Sequence, residues 1–555
     1  MSTTTKVQRI IRKNSEQWYV TLPASIAQTM GFTKSEDVEW TVTDEHHLVL
    51  SRSLVGPVMP VTPELVDVGV KKKVRLGLSV RLGRLMTRAC AAACAAPECA
   101  RRLQEHLMAA LVSPCRGTLT NLICMCGRAQ QDWTADYRLY SRDRVNPAGL
   151  FSTVLHEIET NLPATTPLVA AIDDTLVRKT GGKIDGVGWK RDPLGPAFQT
   201  NLVRGQRYVQ LSAAWPGQGG QARMIPVDFT HAPTPPKLGK KATPELVEQY
   251  KEKKKQQRLN VVALARIQQL RLALPEARQL VVAGDGGYTN AGLLKGLPAK
   301  TTYIGRIRRD AVLNALPGPP AATGRPAVYG AQVPTPESLR TDATVAWQSV
   351  EAYAAGKTHT FKIKTLGPLL WRKAGPTRPL QVLVIAPVGY RLRAGSKLLY
   401  RQPAFLICTD PDMPVGEQLQ YYLWRWGIEV NFRDEKNLIG TGHAQLRTAA
   451  SNRNQPACTV AAYALLLIAA LLFGEPAGQP AEAPPHLRPP KWRTHAAGAS
   501  PSTCCTGDLL RTLRSECWGD QIAPESFSEF ASAFPTSTNP SKAAPFLAEA
   551  LFRAA

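Results

Sequence analysis

The chain has 555 residues and a formal net charge of +25, long enough for three or four domains around a large core and basic enough to attract polyanions such as nucleic acid. Eleven cysteines at this length do not form a disulfide framework, and no secretory signal opens the sequence, so a reducing cytoplasm is expected. The longest apolar run, Val460 to Phe473, is too short to span a bilayer and no Walker A loop is present, which argues against membrane attachment and ATP use.

Residues 6 to 52 read as short strands around Trp18-Tyr19-Val20-Thr21-Leu22-Pro23, a helix from Ala24 to Met30 with Gly31 as its C-cap, and strands near Val38 to Val42 and Leu48 to Ser51. The pattern resembles the AbrB/MazE swapped-hairpin DNA-binding domain. That resemblance implies an intertwined homodimer and sets a first domain at 1–55. Six basic and six acidic residues make the region neutral, yet Lys6, Arg9, Arg12 and Lys13 are clustered, so one edge is expected to face phosphates.

A Val-, Pro- and Gly-containing linker, Ser53 to Val70, precedes a helical region at 71–160. Its stretch Lys71 to Arg144 carries fourteen Lys or Arg against five Asp or Glu. Cys90, Cys94 and Cys99 lie in an Ala-rich helical setting with no paired C-x2-C or nearby His, so they read as small buried hydrophobes.

The apolar run Pro167 to Ile172 then delivers Asp173-Asp174-Thr175, and the run Gln279 to Gly284 delivers Asp285-Gly286-Gly287-Tyr288, as buried strands carrying acids to their C-terminal ends do. Between them lie a hairpin, Tyr208 to Trp215 with Ala222 to Thr230, and a helix from about Pro244 to Leu274. This helix includes the basic stretch Lys251 to Lys255. From Asp285 to Glu429 there are 143 intervening residues, enough for an insertion. Its strand-like segments, Thr358 to Ile363, Leu380 to Pro387 and Ala404 to Thr409, place a β-rich inserted domain at about 300–415. Tyr422, Arg425, Glu429 and Lys436 then fall at helical offsets 0, 3, 7 and 14, within about 60° of one another on one face, so that a carboxylate is flanked by cations. A Pro- and Ala-rich segment opens the remainder, 475–555, in which Asp508 to Trp518 reads as a helix.

The spacing Y-x2-R-x3-E-x6-K, preceded by two strand-borne aspartates, resembles the Y-R-E-K group of DDE-type bacterial insertion-sequence transposases. The resemblance implies an α/β fold: a ribonuclease-H-like catalytic core at 161–474 carrying the insertion, with a helical DNA-binding domain before it. It implies Asp174, Asp285 and Glu429 as catalytic acids and metal ligands, the acid immediately before Thr175 being preferred and Asp173 the alternative. Two Mg²⁺ or Mn²⁺ ions about 3.5–4 Å apart are implied, because transferring a phosphodiester needs charge neutralised at phosphorus and a water or 3′-hydroxyl activated. Without metal, three crowded carboxylates should raise a pKa. Tyr422, Arg425 and Lys436 are expected on the DNA backbone, and Trp371, beside Arg372 and Lys373, either on a base or in the insertion's core. Asp228, Asp434 and Glu435 are expected in solvent or salt-bridge contacts. The expected partner is double-stranded DNA, both transposon ends and target, in a cytoplasmic, nucleoid-associated protein; a DNA-binding regulator descended from a transposase, or a nuclease without strand transfer, is the alternative.

Overall fold

A computed structural model describes residues 77–474, apart from 193–194, 196–200, 236–237, 240, 320–324 and 394, together with 505–522 and four strands near the N-terminus. The chain divides into two units, Met1–Val74 and Arg75–Ala555. In the first, β1 (Val7–Arg12) pairs antiparallel with β2 (Ser15–Val20), and β3 (Val38–Asp44) with β4 (His47–Arg52). Lys6, Lys13 and the helix expected from Ala24 to Met30 lie outside the described residues. Arg9 and Arg12 stand on β1 opposite Trp18 and Ser15, their side chains likewise outside the description.

The second unit opens with five helices: α1 (Leu78–Ala93), α2 (Pro97–Val112), α3 (Leu119–Met125), α4 (Thr134–Ser141) and α5 (Pro147–Asn161). The buried positions of α1, Leu78, Leu82, Leu85, Met86, Ala89, Cys90 and Ala93, recur at helical spacing and form its inward stripe. Burial pushes the Cys90 thiol up to about 12 and the Cys94 thiol to about 11, as for small core side chains. After these helices come β5 (Leu168–Arg178), β6 (Gly188–Arg191), β7 (Leu202–Pro216) and β8 (Ala222–Ala232).

The single helix expected over 244–274 is two, α6 (Pro244–Gln256) and α7 (Leu259–Ala273), because Arg258 takes extended dihedrals at φ −64° and ψ 137°. Only α7 has an apolar face to bury, through Ala263, Ile267 and Leu270; no residue of α6 is buried. There follow β9 (Leu280–Gly284), α8 (Ala291–Gly296), β10 (Thr301–Arg306), α9 (Pro336–Thr341), β11 (Gln348–Ala354), β12 (Lys357–Trp371), β13 (Gly375–Ile385), the short pair β14 (Gly389–Tyr390) and β15 (Leu399–Tyr400), and β16 (Ala404–Cys408). The chain continues through α10 (Val415–Trp424), α11 (Trp426–Asp434), a π-helical turn Glu435–Ile439, α12 (Ala449–Gly474) and α13 (Thr506–Ile522).

Ten strands make one mixed sheet, ordered β11-β12-β13-β16-β10-β9-β5-β7-β6, with β8 also paired to β7. β5, β9 and β10 are parallel neighbours, which accounts for their near-continuous apolar sequences. The β-rich insertion expected within the core at about 300–415 has its strands in this same sheet, which it prolongs. β16 pairs along the free edge of β10, from Ile304↔Cys408 to Arg306↔Leu406, and β13, β12 and β11 follow antiparallel, so an exposed edge of the core is covered by its own insertion.

The two faces of the sheet bury different clusters. One holds Val169, Ala171, Val281 and Ile304 with Leu419, Ile428 and Phe432 of α10 and α11; the other, larger one holds Leu168, Ala170, Ile172, Leu280 and Val282. By length and composition α12 is apolar enough to cross a membrane, yet 83% of its most apolar stretch is buried inside this second unit, packed largely against β8 and α5.

Candidate active site

Strand register brings two acids together. In the parallel pair β5–β9 the last partners are Ile172↔Gly284, so Asp173 and Asp285 each lie one residue beyond, side by side at the sheet edge. A side chain at Gly284 would collide with the Tyr303 hydroxyl of β10, so glycine here lets the strands close up where the second acid leaves the sheet. Alternation along β5 sends Asp173 to the face of Val169 and Ala171, and Asp174 to the face of Ala170 and Ile172. Because α10 and α11 cover the first of these faces, Asp173 is the aspartate on the Glu429 side.

The helices bearing the signature are nearly continuous, Arg425 keeping helical dihedrals (φ −48°, ψ −33°) between them. Gly427 permits the close approach: a Cβ there would strike Met224 of β8. Arg425 sits between two acids, donating to Asp173 Oδ2 at 3.2 Å and to Glu429 Oε1 at 3.1 Å. Its guanidinium also lies 5.8 Å from the centre of the Tyr422 ring. Asp173, Asp285, Arg425 and Glu429 line one open cleft of about 1110 Å³ whose far wall carries Arg306, Arg308, Arg372 and Lys373. Burial pushes the Asp173 carboxyl up to about 7; the backbone N–H of Asp174 opposes this rise, and Asp285 adds to it.

Asp174, expected as the first acid from its place before Thr175, is engaged elsewhere. It accepts from the Tyr288 hydroxyl at 2.9 Å and pairs with Arg207 Nε at 3.2 Å, and it is absent from the lining of the cleft. Lys436 stands in the π-helical turn on the Asp174 side, its ammonium lowered by burial and supported by Glu435 and Asp174. The expected Y-R-E-K face is therefore split: Arg425 and Glu429 meet Asp173, and Lys436 turns toward Asp174.

Trp371, expected either on a base or in the insertion's core, is only 6% exposed and packs with the core, with Lys373 over its ring, while its edge lines the cleft beside Arg372. Trp426, inside the signature but not among its four expected functional positions, is 62% exposed and lines the cleft. Its place one residue after Arg425, off the Y-R-E-K stripe, was the available signal. Tyr288, Arg207 and Lys190 were also missed, because only strand pairing brings them to Asp174. Of the remaining acids, Asp228 is bound bidentately by Arg266, and Asp434 accepts from Thr506 at 2.7 Å and from Arg433.

Residues 92–362 match the family model described as DDE superfamily endonuclease, and residues 260–465 match that described as Transposase DDE domain. The matches support a DDE-superfamily transposase or endonuclease. No curated protein matches the chain. The mixed sheet with helices on its faces is consistent with the ribonuclease-H-like core of such DDE enzymes. Asp173, Asp285 and Glu429 offer hard oxygen donors suited to Mg²⁺ or Mn²⁺; the raised Asp173 pKa comes first from burial, with the Asp285 charge adding to it and Arg425 opposing it. Among the described residues no three Asp, Glu, His or Cys side chains stand close enough to enclose an ion. The donor set fits a divalent cation in kind, with the Arg425 guanidinium in the position of a competing positive charge.

Glu435 lies fully enclosed behind the site at 1% exposure, and burial pushes its carboxyl up to about 8 from an ordinary 4.5. The folded chain thus binds this proton more tightly than the unfolded chain. The associated stability is complete below about pH 4.5 and is lost as pH rises through about 8, a change on the order of a few kcal/mol. Glu435→Gln should flatten the fall in melting temperature between pH 5 and 8; parallel wild-type and variant curves would show that Glu435 does not titrate in this way.

Proposed function

We propose that this chain is a DNA transposase that binds terminal inverted repeats, cleaves at the element ends and joins the freed 3′-hydroxyls to target DNA. The observation that supports this reading is that Asp173, Asp285 and Glu429 line one basic-walled cleft, two carried by parallel strands in register and the third by a helix on the same face. Asp173, Asp285 and Glu429 are the catalytic acids and would hold two divalent ions, which when bound supply charge neutralisation at phosphorus and activation of water or the 3′-hydroxyl. Arg425 bridges Asp173 and Glu429, offsets their mutual repulsion and would contact a scissile phosphate, while Arg306 and Arg308 would offer the incoming backbone its counter-charge. Exposed Trp426 gives an unpaired base a surface to stack on. The N-terminal hairpins serve as an AbrB/MazE-like dimerisation or DNA-binding module.

Labelled DNA carrying the repeats that flank the element, incubated with Mg²⁺, should yield both cleaved and joined products. With Glu429→Gln, which removes charge at nearly constant shape, both should fall about 10³-fold, corresponding to several kcal/mol of lost charge stabilisation. Cleavage without joined products would identify a nuclease, and specific binding without cleavage in either protein would leave a regulator.

A further inference from the structure

We propose that the sheet face carrying Asp174 is a second, separate track for a DNA phosphodiester backbone, formed by Lys190, Arg207, Arg178 and Lys436. The inference rests on the DNA-substrate reading above and adds to it a site on the opposite side of β5 from the catalytic cleft.

Strand register is its basis. β6 pairs with β7 through Lys190↔Val203, and β5 pairs with β7 through Arg178↔Gly205 and Leu176↔Arg207. Positions 203, 205, 207 and 209 of β7 point to one face, so Lys190, Arg207, Arg178 and Asp174, the partner of Val209, form a row across three adjacent strands. Gly205 stands at the centre of this row, where a Cβ would press on the backbone of Val177, so the cations flank a position without a side chain. Among the described residues the acids beside these four cations are Asp174, Asp192 and Glu435. Asp174 takes Arg207, and Asp192 takes Arg178 at 3.0 Å, while Arg178 remains 70% exposed. Lys190 is half-buried; burial and then the adjacent Arg207 push its ammonium below its ordinary value, and Arg178 acts on Lys436 in the same direction. Positive groups crowded in this way, with a Tyr288 hydroxyl holding the Asp174 carboxylate among them, suit an anion carried on a continuous strand. Trp189, next to Lys190 on the edge strand, is 67% exposed.

The test uses full-length protein in EDTA with a fluorescein-labelled DNA duplex of about three helical turns, reading anisotropy between 50 and 200 mM salt. Lys190→Gln with Arg178→Gln, both at accessible positions, should lower the slope of log affinity against log salt by about 1.8, roughly 0.9 for each cation withdrawn from a phosphate. The wild type should therefore lose about tenfold more affinity than the variant across that range. Lys190→Arg with Arg178→Lys should keep the wild-type slope, which separates charge from folding. An unchanged slope in the Gln variant, with wild-type binding intact, overturns the second track and leaves the catalytic reading standing. A wild type that does not bind the duplex overturns both.

Discussion

Asp173→Asn should abolish metal-dependent DNA cleavage, with a loss of about 10³-fold, whereas Asp174→Asn should cost roughly tenfold or less. Two adjacent aspartates on a strand cannot serve the same cleft, because their side chains leave opposite faces of the sheet. Asp173 shares its face with α11 and is joined to Glu429 through Arg425, while Asp174 is held by Tyr288 and Arg207 on the other. Asparagine at 174 retains an oxygen for the Tyr288 hydroxyl and removes a negative charge from a basic surface, so DNA binding should tighten while cleavage changes little. Rates on a labelled duplex for the two variants decide the matter. A large loss with Asp174→Asn beside an active Asp173→Asn would return the first acid to Asp174.

The strands that bear the acids were legible because a strand buried on both faces is written as an uninterrupted apolar run, and Leu168 to Ile172 and Leu280 to Gly284 are such runs. The helix bearing Arg425 and Glu429 was legible from its period. Which of Asp173 and Asp174 faces Glu429 was not, since strand alternation states only that they differ; the covering helices decide the face. The insertion was legible as β-rich, but its joining of the core sheet depends on pairing Ile304 with Cys408, a hundred residues apart, for which local sequence carries no signal. The same holds for Lys190 and Arg207 around Asp174, and for the break at Arg258, where an exposed helix without an apolar face gives way to one that has it. For Trp371 local sequence leaves base stacking and core packing both open; the structure places Arg372 and Lys373 in the turn leading from β12 to β13 and packs the indole with the core at the cleft's margin.

Removing Arg425 should expose its second duty, that of holding the acids together when no cation is bound. Its side chain is 12% exposed and bridges Asp173, 19% exposed, and Glu429, 37% exposed. Breaking a wholly buried ion pair costs about 3–5 kcal/mol, and the access of water to Glu429 reduces this to about 2 kcal/mol here. Arg425→Ala should therefore melt a few degrees below wild type in EDTA. A divalent cation bound by the same carboxylates would replace the missing charge and would stabilise the variant more than the wild type, since linkage adds RT ln(1 + [L]/Kd) and the variant has no guanidinium to displace. Arg425→Lys should fall between the two, because an ammonium lacks the planar fork that reaches both carboxylates. Melting temperatures of the three proteins with and without Mg²⁺ test this. Equal losses for Arg425→Ala in both conditions would show that Arg425 and the metal do not compete for the same acids, and that the guanidinium serves the fold alone.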